Sequence, residues 1–260
     1  MRIGVVSDIH GNLFALRAVV ADMRHHDVTR VINLGDSLSG PLLPRETAEF
    51  LREQPWLHLA GNHERQILEA PEASYEYNSD SYARARLTPE LLDWLRTLRP
   101  VCEPEPNLVF CHGSPRSDLE YLLETASTSG FGLATPSEIA ERLGTSQASL
   151  VLCGHSHLPR SVRVGKTLIV NPGSVGLPAY SARHPAPHVV ETGSVDARYA
   201  IIERMGDRFR AELISVPYDV EDAVALAERA GAHEWAHALR TGRALREPTP
   251  AVSSAARTVS

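Results

Sequence analysis

The sequence predicts an α/β protein in which parallel strands come first and antiparallel hairpins follow. Two observations support this prediction. In the first 60 residues, short β-branched runs alternate with segments of helical period, which is typical of strand–helix–strand units. From Ser161 onward the apolar runs shorten and are separated by turn residues such as Gly165 and Lys166, which indicates hairpins.

The N-terminal half is expected to form the parallel strands. Strands are predicted at 1–7, 30–34 and 56–60, with helices at about 13–25 and 44–53. Asn12 is a suitable N-cap for the first helix, because its side chain can accept a hydrogen bond from an amide of the first turn. Residues 64–100 interrupt the alternation with Pro71, Pro89 and leucines among charged residues, so we predict a helical insertion that forms a lid or side wall.

The second half continues with two strands at 108–111 and 150–153, separated by a helix at 136–143. Hairpins are predicted for 162–164 with 168–170 and for 199–204 with 208–216. A C-terminal helical segment is expected at 217–246, with one helix over 220–240. The Ser-, Ala-, Pro- and Thr-rich residues 247–260 are expected to form a flexible tail.

Composition limits the classes of protein to consider. The chain has 260 residues, 43% of them hydrophobic, and a formal net charge of −6. This length suits one large core, so we expect a single domain over residues 1–246. The negative charge argues against a nucleic-acid polymer as partner, and no apolar run approaches the roughly 20 residues of a membrane span. Three cysteines without a C-x-x-C pair and the absence of a signal-peptide pattern favour a cytoplasmic protein.

Polar side chains follow each of five predicted strands at the point where the strand ends. They are Asp8 and His10, then Asp36, then Asn62 and His63, then His112, and finally His155 and His157. Taken alone, each of these residues is more often part of an ordinary turn, or a structural histidine, than a metal ligand. However, the carboxyl ends of parallel strands face one crevice, so all of them are expected to converge. Imidazoles and carboxylates without thiolates suit Mn, Fe, Zn or Ni. The sequence therefore predicts a site for two divalent metal ions, with Asp36 placed centrally to bridge them.

Five segments carry a family resemblance. They read SDIHGN at 7–12, GDSLSGP at 35–41, GNHE at 61–64, HG at 112–113 and GHSH at 154–157. They resemble the five motif blocks of the calcineurin-like metallophosphoesterase superfamily. The segment NPGSVGLP at 171–178 is similar to one in small bacterial members, which include phosphodiesterases and a diadenosine tetraphosphate hydrolase. The resemblance implies a four-layer α/β/β/α sandwich, in agreement with parallel strands followed by hairpins.

The resemblance also implies a role for each residue at the strand ends. One metal ion would be held by Asp8, His10, Asp36 and His157, and the other by Asp36, Asn62, His112 and His155. His63 would stay unligated and would donate a proton to the leaving oxygen or stabilise its charge. A metal-bridging hydroxide would attack phosphorus directly, so that His63 and Asp36 are the expected catalytic residues. Mn is the metal we expect first, with Fe, Zn or Ni as alternatives.

The substrate class follows in part from a departure in the second block. Ser37 and Leu38 follow Asp36 there, so the Asp-Arg pair of protein serine/threonine phosphatases is missing. This favours a small phosphodiester or a nucleotide phosphoanhydride as substrate. A phosphomonoesterase or protein phosphatase with the same site is the first alternative, and a non-catalytic interaction scaffold of the same fold is the second. Three arginines are candidate phosphate contacts, although surface arginines are ordinarily solvated: Arg116, Arg160 and Arg183.

A second motif points to different chemistry. His233, Glu234 and His237 match the H-E-x-x-H spacing of zinc proteases. No third ligand follows at metzincin spacing, and the segment equally fits an amphipathic helix. We therefore rank a protease well below a phosphoesterase.

Overall fold

The structure is a computed structural model that describes residues 2–71, 78–128 and 130–246. Its strands are β1 (Arg2–Val6), β2 (Arg30–Asn33), β3 (Leu57–His58), β4 (Val101–Glu105), β5 (Leu108–Cys111), β6 (Glu124–Ser127), β7 (Gly130–Leu133), β8 (Leu150–Leu152), β9 (Arg160–Val164), β10 (Thr167–Asn171), β11 (Ala179–Ala182), β12 (His188–Glu191), β13 (Ala197–Met205) and β14 (Arg208–Val216). Its helices are α1 (Leu13–His25), α2 (Pro44–Arg52), α3 (Asn62–Glu69), α4 (Ser79–Arg84), α5 (Pro89–Thr97), α6 (Pro136–Leu143), α7 (Glu221–Arg229) and α8 (His233–Thr241). The tail predicted at 247–260 and residues 72–77 of the predicted insertion lie outside the described residues.

Two five-stranded sheets form the centre of the fold. The first has the order β14-β13-β1-β2-β3 and the second has the order β4-β5-β8-β10-β9. In the first sheet β1, β2 and β3 are parallel, and β13 and β14 continue it as an antiparallel hairpin. In the second sheet β5, β8 and β10 are parallel, with β4 and β9 as antiparallel edges. The predicted order of parallel strands first and hairpins later is confirmed.

The sheets pack face to face through buried apolar side chains. Val5 and Ile202 of the first sheet belong to one core cluster with Phe110, Leu152 and Val170 of the second. Burying each such side chain stabilises the fold by roughly 1.5–3 kcal/mol. This cluster is the interior between the two inner layers.

Helices cover the two outer faces of this pair of sheets. Leu16 and Val19 of α1 share a core cluster with Ile201 of the first sheet. Ile139 of α6 shares another cluster with Val151 of the second sheet. The layers therefore run helix, sheet, sheet, helix, and the predicted four-layer α/β/β/α sandwich is confirmed.

Helix α1 begins where the sequence predicted. The side chain of Asn12 accepts a hydrogen bond from the amide of Ala15 at 3.1 Å, which satisfies one of the free donors of the first turn. The helix buries Leu13, Leu16 and Met23, which recur at helical spacing and face the sheet. The cap and the apolar face together fix the direction in which the chain leaves β1. They thereby also position residues 7–12, which lie between β1 and α1.

Two of the element boundaries predicted from sequence were wrong. The strand expected at 56–60 is reduced to Leu57–His58, because only these two residues pair with β2. The single helix expected at 220–240 is two helices, since Gly231 between them has a φ of +73° and ends the helical path. Strands β4, β6, β7, β11 and β12 had not been predicted at all.

The predicted insertion contains the described helices α4 and α5 and most of α3. Ile67, Ala83 and Leu95 from these helices belong to the same core cluster as α1. The segment is therefore packed into the body of the protein. Within the described residues, none of the helices is long and apolar enough to cross a bilayer.

Candidate metal centre

The side chains predicted to bind metal meet at the ends of the strands. Asp8, His10 and His157 form one group of potential ligands, and Asp36, His112 and His155 form a second. Within each group the ligand atoms lie within 4.8 Å of one another. The two groups adjoin, because Oδ1 of Asp8 lies 3.9 Å from Nε2 of His112. Strand ends from both sheets thus supply two neighbouring groups of candidate metal ligands.

The backbone at these positions is unusual. Five of the predicted ligands have φ between 52° and 67°: Asp8, His10, Asp36, His155 and His157. A residue with a side chain adopts this left-handed region at a cost of order 1–3 kcal/mol, and such strain clusters at functional sites. In the described ranges, Asp27 is the one other non-glycine residue with positive φ. The strain is therefore concentrated where the sequence predicted the ligands.

The turn that carries Asn62 lies very close to the turn that carries Asp36. A Cβ atom on Gly61 would lie 2.2 Å from Oδ1 of Asp36, so only glycine fits there. The Oδ1 atom of Asp36 accepts a hydrogen bond from the amide of His63 at 2.8 Å. Asn62, His63 and Asp36 are consequently held in one fixed arrangement.

Glu64 stabilises this pair of turns in a way that the sequence analysis did not predict. Its buried carboxylate accepts hydrogen bonds from the amides of Asp36 at 2.8 Å, Ser37 at 2.7 Å and Gly61 at 2.6 Å. Burial, and then the nearby charge of Asp36, raise the pKa of Glu64. The position of Glu64 in the GNHE segment was the available signal, but it assigned no role to this residue.

Hydrogen bonds to the main chain determine which nitrogen of each histidine faces the site. Nδ1 of His10 lies 2.8 Å from the carbonyl oxygen of Ser39. Nδ1 of His112 lies 3.0 Å from the carbonyl oxygen of Leu34, and Nδ1 of His157 lies 2.7 Å from that of Leu177. A carbonyl can only accept, so Nδ1 donates and Nε2 is left for the site. His155 is reversed, because its Nε2 donates to the carbonyl of Leu119 at 3.2 Å. Such partners are what metal-binding histidines normally have on their other nitrogen.

The donor set fits divalent cations. Nε2 of His10 and Nε2 of His157 face each other at 3.2 Å although both Nδ1 atoms already donate elsewhere. Lone pairs on both atoms would repel each other at this distance, so a proton or a metal cation must lie on or beside one of them, and Oδ1 of Asp8 lies 3.3 Å from Nε2 of His157. In addition, Oδ1 of Asp8 and Oδ1 of Asn62 are buried and lack hydrogen-bond partners among the described residues. A pair of cations would satisfy all four atoms.

The protonation states of His10 and Asp8 are also those that bind metal. Burial, and then the neighbouring His157, lower the pKa of His10 to about 3. Burial tends to raise the pKa of Asp8, but His157 and His112 outweigh it and lower that pKa to about 2. Burial lowers the pKa of His112, yet Asp36 outweighs it and raises the value to about 10. A metal ion on His112 would therefore replace a proton, as is usual for metal binding by histidine.

His63 belongs to neither group of ligands. It lines the same cavity, and its ring centroid lies 5.5 Å from that of His10. Its Nδ1 is 2.8 Å from Oδ1 of Asp80, a residue that no sequence motif indicated. Burial lowers the pKa of His63, but Asp36 and Asp80 outweigh it and raise the pKa to about 9. The two carboxylates therefore favour the protonated form of this histidine.

A cavity of about 900 Å³ opens beside the two groups. Its walls come from the β6 and β11 segments, which the sequence analysis missed, and from Trp235 on α8. Gln66 and Ser79 of the predicted insertion also line it, so this segment contributes part of the side wall. The rings of Tyr180 and Trp235 lie 4.7 Å from His157 and 5.6 Å from His10, respectively.

The H-E-x-x-H motif does not form a metal site in the described structure. His233 and His237 on α8 belong to neither group of potential ligands. What this helix contributes instead is Trp235, together with Glu234, on the cavity wall. The zinc-protease alternative therefore has no support from the geometry.

Comparison with known proteins agrees with this geometry. The family model described as the calcineurin-like phosphoesterase superfamily domain matches residues 1–194. The chain belongs to the calcineurin-like phosphoesterase superfamily. It is a metal-dependent phosphoric ester hydrolase, as this family and its structural neighbours indicate.

Individual relatives match the chain over most of its length. The crystal structure of a metallophosphoesterase from Sphaerobacter thermophilus is similar with a TM-score of 0.73 and 25% identity, over 93% of this chain and 100% of that one. The hypothetical protein PH1004 from Pyrococcus horikoshii has a TM-score of 0.67 and 16% identity, over 94% and 99%. The uncharacterised protein MJ0912 of Methanocaldococcus jannaschii is 25% identical over 257 residues, which are 90% of this chain and 94% of that one.

Proposed function

We propose that this protein is a binuclear-metal phosphoesterase that hydrolyses a small phosphodiester or a nucleotide phosphoanhydride. The observation that carries the proposal is the pair of adjoining ligand groups, with 3.9 Å between Oδ1 of Asp8 and Nε2 of His112, beside His63, which belongs to neither group. A single cation site would need only one of these groups. Two sites side by side are typical of phosphoryl-transfer centres.

The proposal assigns every predicted ligand. One cation would be held by Asp8, His10, Asp36 and His157, and the other by Asp36, Asn62, His112 and His155. When bound, two divalent cations polarise the phosphoryl oxygens and lower the pKa of a water molecule. Mn²⁺ is the ion that we expect, with Fe, Zn or Ni as alternatives, because the ligands are imidazoles and oxygens without thiolates.

His63 has the properties of a general acid. The carboxylates of Asp36 and Asp80 raise its pKa and so favour a proton on the ring, and the bond of Nδ1 to Asp80 leaves Nε2 to face the cavity. A proton on that atom can pass to the leaving oxygen as the bond to phosphorus breaks. The hydrogen bond from its amide to Asp36 fixes the distance between this proton donor and the proposed bridging carboxylate.

The cavity supports a small substrate. Its volume of about 900 Å³ lies within the range of small-molecule sites, which is roughly 300–1,000 Å³. Tyrosine and tryptophan rings on the walls suit a planar group such as a nucleobase. We therefore expect a small phosphorylated compound, a nucleotide among the candidates, as partner in a cytoplasmic enzyme, and neither a nucleic-acid polymer nor a membrane.

A substrate panel tests this proposal. Protein stripped of metal and reconstituted with Mn²⁺ is assayed on p-nitrophenyl phosphate, bis(p-nitrophenyl) phosphate and diadenosine tetraphosphate, with chelator as the blank. Faster hydrolysis of the diester or the dinucleotide is the expected result. Faster hydrolysis of the monoester would replace the proposal with a phosphomonoesterase, and phosphopeptides would then be assayed. No metal-dependent rate on any of the three would contradict the proposal and favour a non-catalytic scaffold.

A further inference from the structure

The arginines around the cavity are not equivalent. Arg116 donates to Glu120 through Nε at 2.8 Å and Nη2 at 2.7 Å. Arg160 donates through Nε to the buried Glu124 at 2.6 Å. Arg142 donates to three main-chain carbonyls and to Oγ1 of Thr125. These three guanidinium groups are engaged with the protein itself, so they are poorly placed to bind a ligand.

Arg183 is the exception. It is exposed, it lines the cavity, and it has no hydrogen bond or ion pair to any residue in the described part of the chain. Glu120 and Glu124, two carboxylates on the same cavity wall, are already paired with Arg116 and Arg160. A planar guanidinium with unused donors beside a phosphate-binding centre is well suited to bind a phosphate through two parallel hydrogen bonds.

The location of Arg183 indicates which part of a substrate it would meet. Strand β11 runs along the cavity wall, and its Tyr180 packs against the ring of His157. Arg183 follows three residues later, directly after the strand ends, which is a distance of roughly 10 Å along an extended chain. Among the described residues, Arg183 has no hydrogen bond or ion pair to either ligand group, whereas Tyr180 touches the ring of His157. This favours contact with a second group of the substrate over contact with the phosphoryl group that reacts.

We propose that Arg183 binds a second phosphate of the substrate, beyond the reacting phosphorus, so that the site selects phosphoanhydrides over simple phosphodiesters. The inference rests on the proposed function and narrows its substrate class. The cavity of about 900 Å³ has room for a substrate with more than one phosphate. A nucleoside or dinucleotide polyphosphate supplies both the extra length and the second negative charge.

The experiment compares two substrates and three variants. Values of kcat/KM are measured with Mn²⁺-reconstituted protein on diadenosine tetraphosphate and on bis(p-nitrophenyl) phosphate, which has no second phosphate. The variants are Arg183→Gln, the conservative Arg183→Lys, and Arg204→Gln as the matched control. Arg204 pairs with the exposed Glu105 and does not line the cavity, so its loss removes the same charge elsewhere. Calorimetric titration with ADP and AMP provides a readout that does not depend on turnover.

The expected result is a selective loss. Arg183→Gln lowers kcat/KM about tenfold more on the dinucleotide than on the diester. It also weakens the binding of ADP about tenfold more than the binding of AMP, as expected for a lost charge-assisted hydrogen bond. Arg183→Lys recovers part of both losses, because lysine keeps the charge without the planar fork. Arg204→Gln leaves unchanged both the ratio of kcat/KM between the two substrates and the ratio of affinities for ADP and AMP.

Other outcomes separate the two proposals. Equal losses on both substrates, no loss on either, or an equal effect of Arg204→Gln would overturn the role of Arg183. A wild-type protein that hydrolyses none of the substrates would contradict the proposed function instead. The comparison of ADP with AMP would then still decide whether Arg183 binds a second phosphate.

Discussion

The carboxylate of Asp80 contacts the imidazole of His63, with 2.8 Å between Oδ1 and Nδ1, although the two residues lie 17 positions apart. Asp80 is in the first turn of α4, and its amide donates to Oδ1 of Asn78 at 2.9 Å. The capped helix thus presents a carboxylate to the one histidine of the centre that no ligand group includes. A helix of the insertion fixes the orientation of the proposed proton donor.

Asp80→Asn should lower kcat while leaving metal content unchanged. The amide keeps the shape of the side chain but no longer favours the charged, correctly oriented imidazole, and losing such a partner typically costs 10–100-fold in activity. We expect the loss mainly in kcat rather than KM. Asp118→Asn is the control, since Asp118 pairs with Arg65 outside the cavity. A wild-type kcat in Asp80→Asn would show that this contact has no part in proton transfer.

His63→Ala and Asp36→Ala should separate catalysis from metal binding. His63 belongs to neither ligand group, so His63→Ala keeps its metal and loses roughly 10²–10⁴-fold in kcat, the usual contribution of a general acid. Asp36→Ala removes the proposed bridge and loses metal. Metal content by inductively coupled plasma mass spectrometry checks both variants. Full metal retention in Asp36→Ala would exclude the bridging role of this carboxylate.

Mn²⁺ should raise the Tm of metal-stripped protein. The buried Nε2 atoms of His10 and His157 lie 3.2 Å apart, and the carboxylate of Asp8 lies 3.3 Å from the second of them, so a cation bound there would attract all three groups. At a hundredfold excess over Kd, one binding site stabilises the folded state by about 2.7 kcal/mol, or roughly 5–10 °C for a chain of this size. Scanning calorimetry with and without chelator measures the shift. A Tm that is insensitive to Mn²⁺ would contradict the assignment of these ligands, and His157→Ala should lose most of the rise.

Stability should fall in acid because of His58, which lies away from the metal centre. Burial between the rings of Trp56 and Trp94 lowers the pKa of His58 to about 4. An unfolded histidine has a pKa near 6.5, so between these values the unfolded chain binds a proton that the folded chain does not. The free energy of unfolding therefore decreases as pH falls below 6.5, by about 2 kcal/mol at pH 5.

Urea unfolding of His58→Gln in the presence of chelator checks that expectation. Between pH 7 and pH 5, the free energy of unfolding should decrease by about 2 kcal/mol less in the variant than in the wild type. His25→Gln removes an exposed histidine and should behave as the wild type. Equal losses in the wild type and His58→Gln would show that another group is responsible for the acid sensitivity.

The sequence predicted the fold class because apolar periodicity is a local property. The runs that became β1, β2, β5 and β8 are apolar and largely buried, and each ends at a polar cluster, so both strand and candidate ligands were visible. Strand β11 was not visible in the sequence, because Ser181 and its neighbours form a short, partly exposed run. Its pairing with β12 depends on residues farther along the chain. The cavity wall that β11 provides was missed for the same reason.

Contacts between distant segments were equally invisible. Asp80 lies in a polar run without a motif, and only folding brings it to His63. Glu64 stands in the recognised GNHE segment, but its three amide partners come from two separate turns. Spacing along the chain predicted which atoms could bind metal, whereas the residues that position those atoms could be found only from the folded structure.

Four histidines of the centre are oriented by carbonyl groups of the main chain. A carbonyl is present whatever side chain its residue carries, so Ser39, Leu119 or Leu177 can be replaced in evolution without removing the acceptor. The choice of the nitrogen that each of these histidines presents to the centre is thus set by the backbone rather than by neighbouring side chains. Relatives of this chain can therefore diverge widely in the residues around the metals and still present the same nitrogen atoms to them.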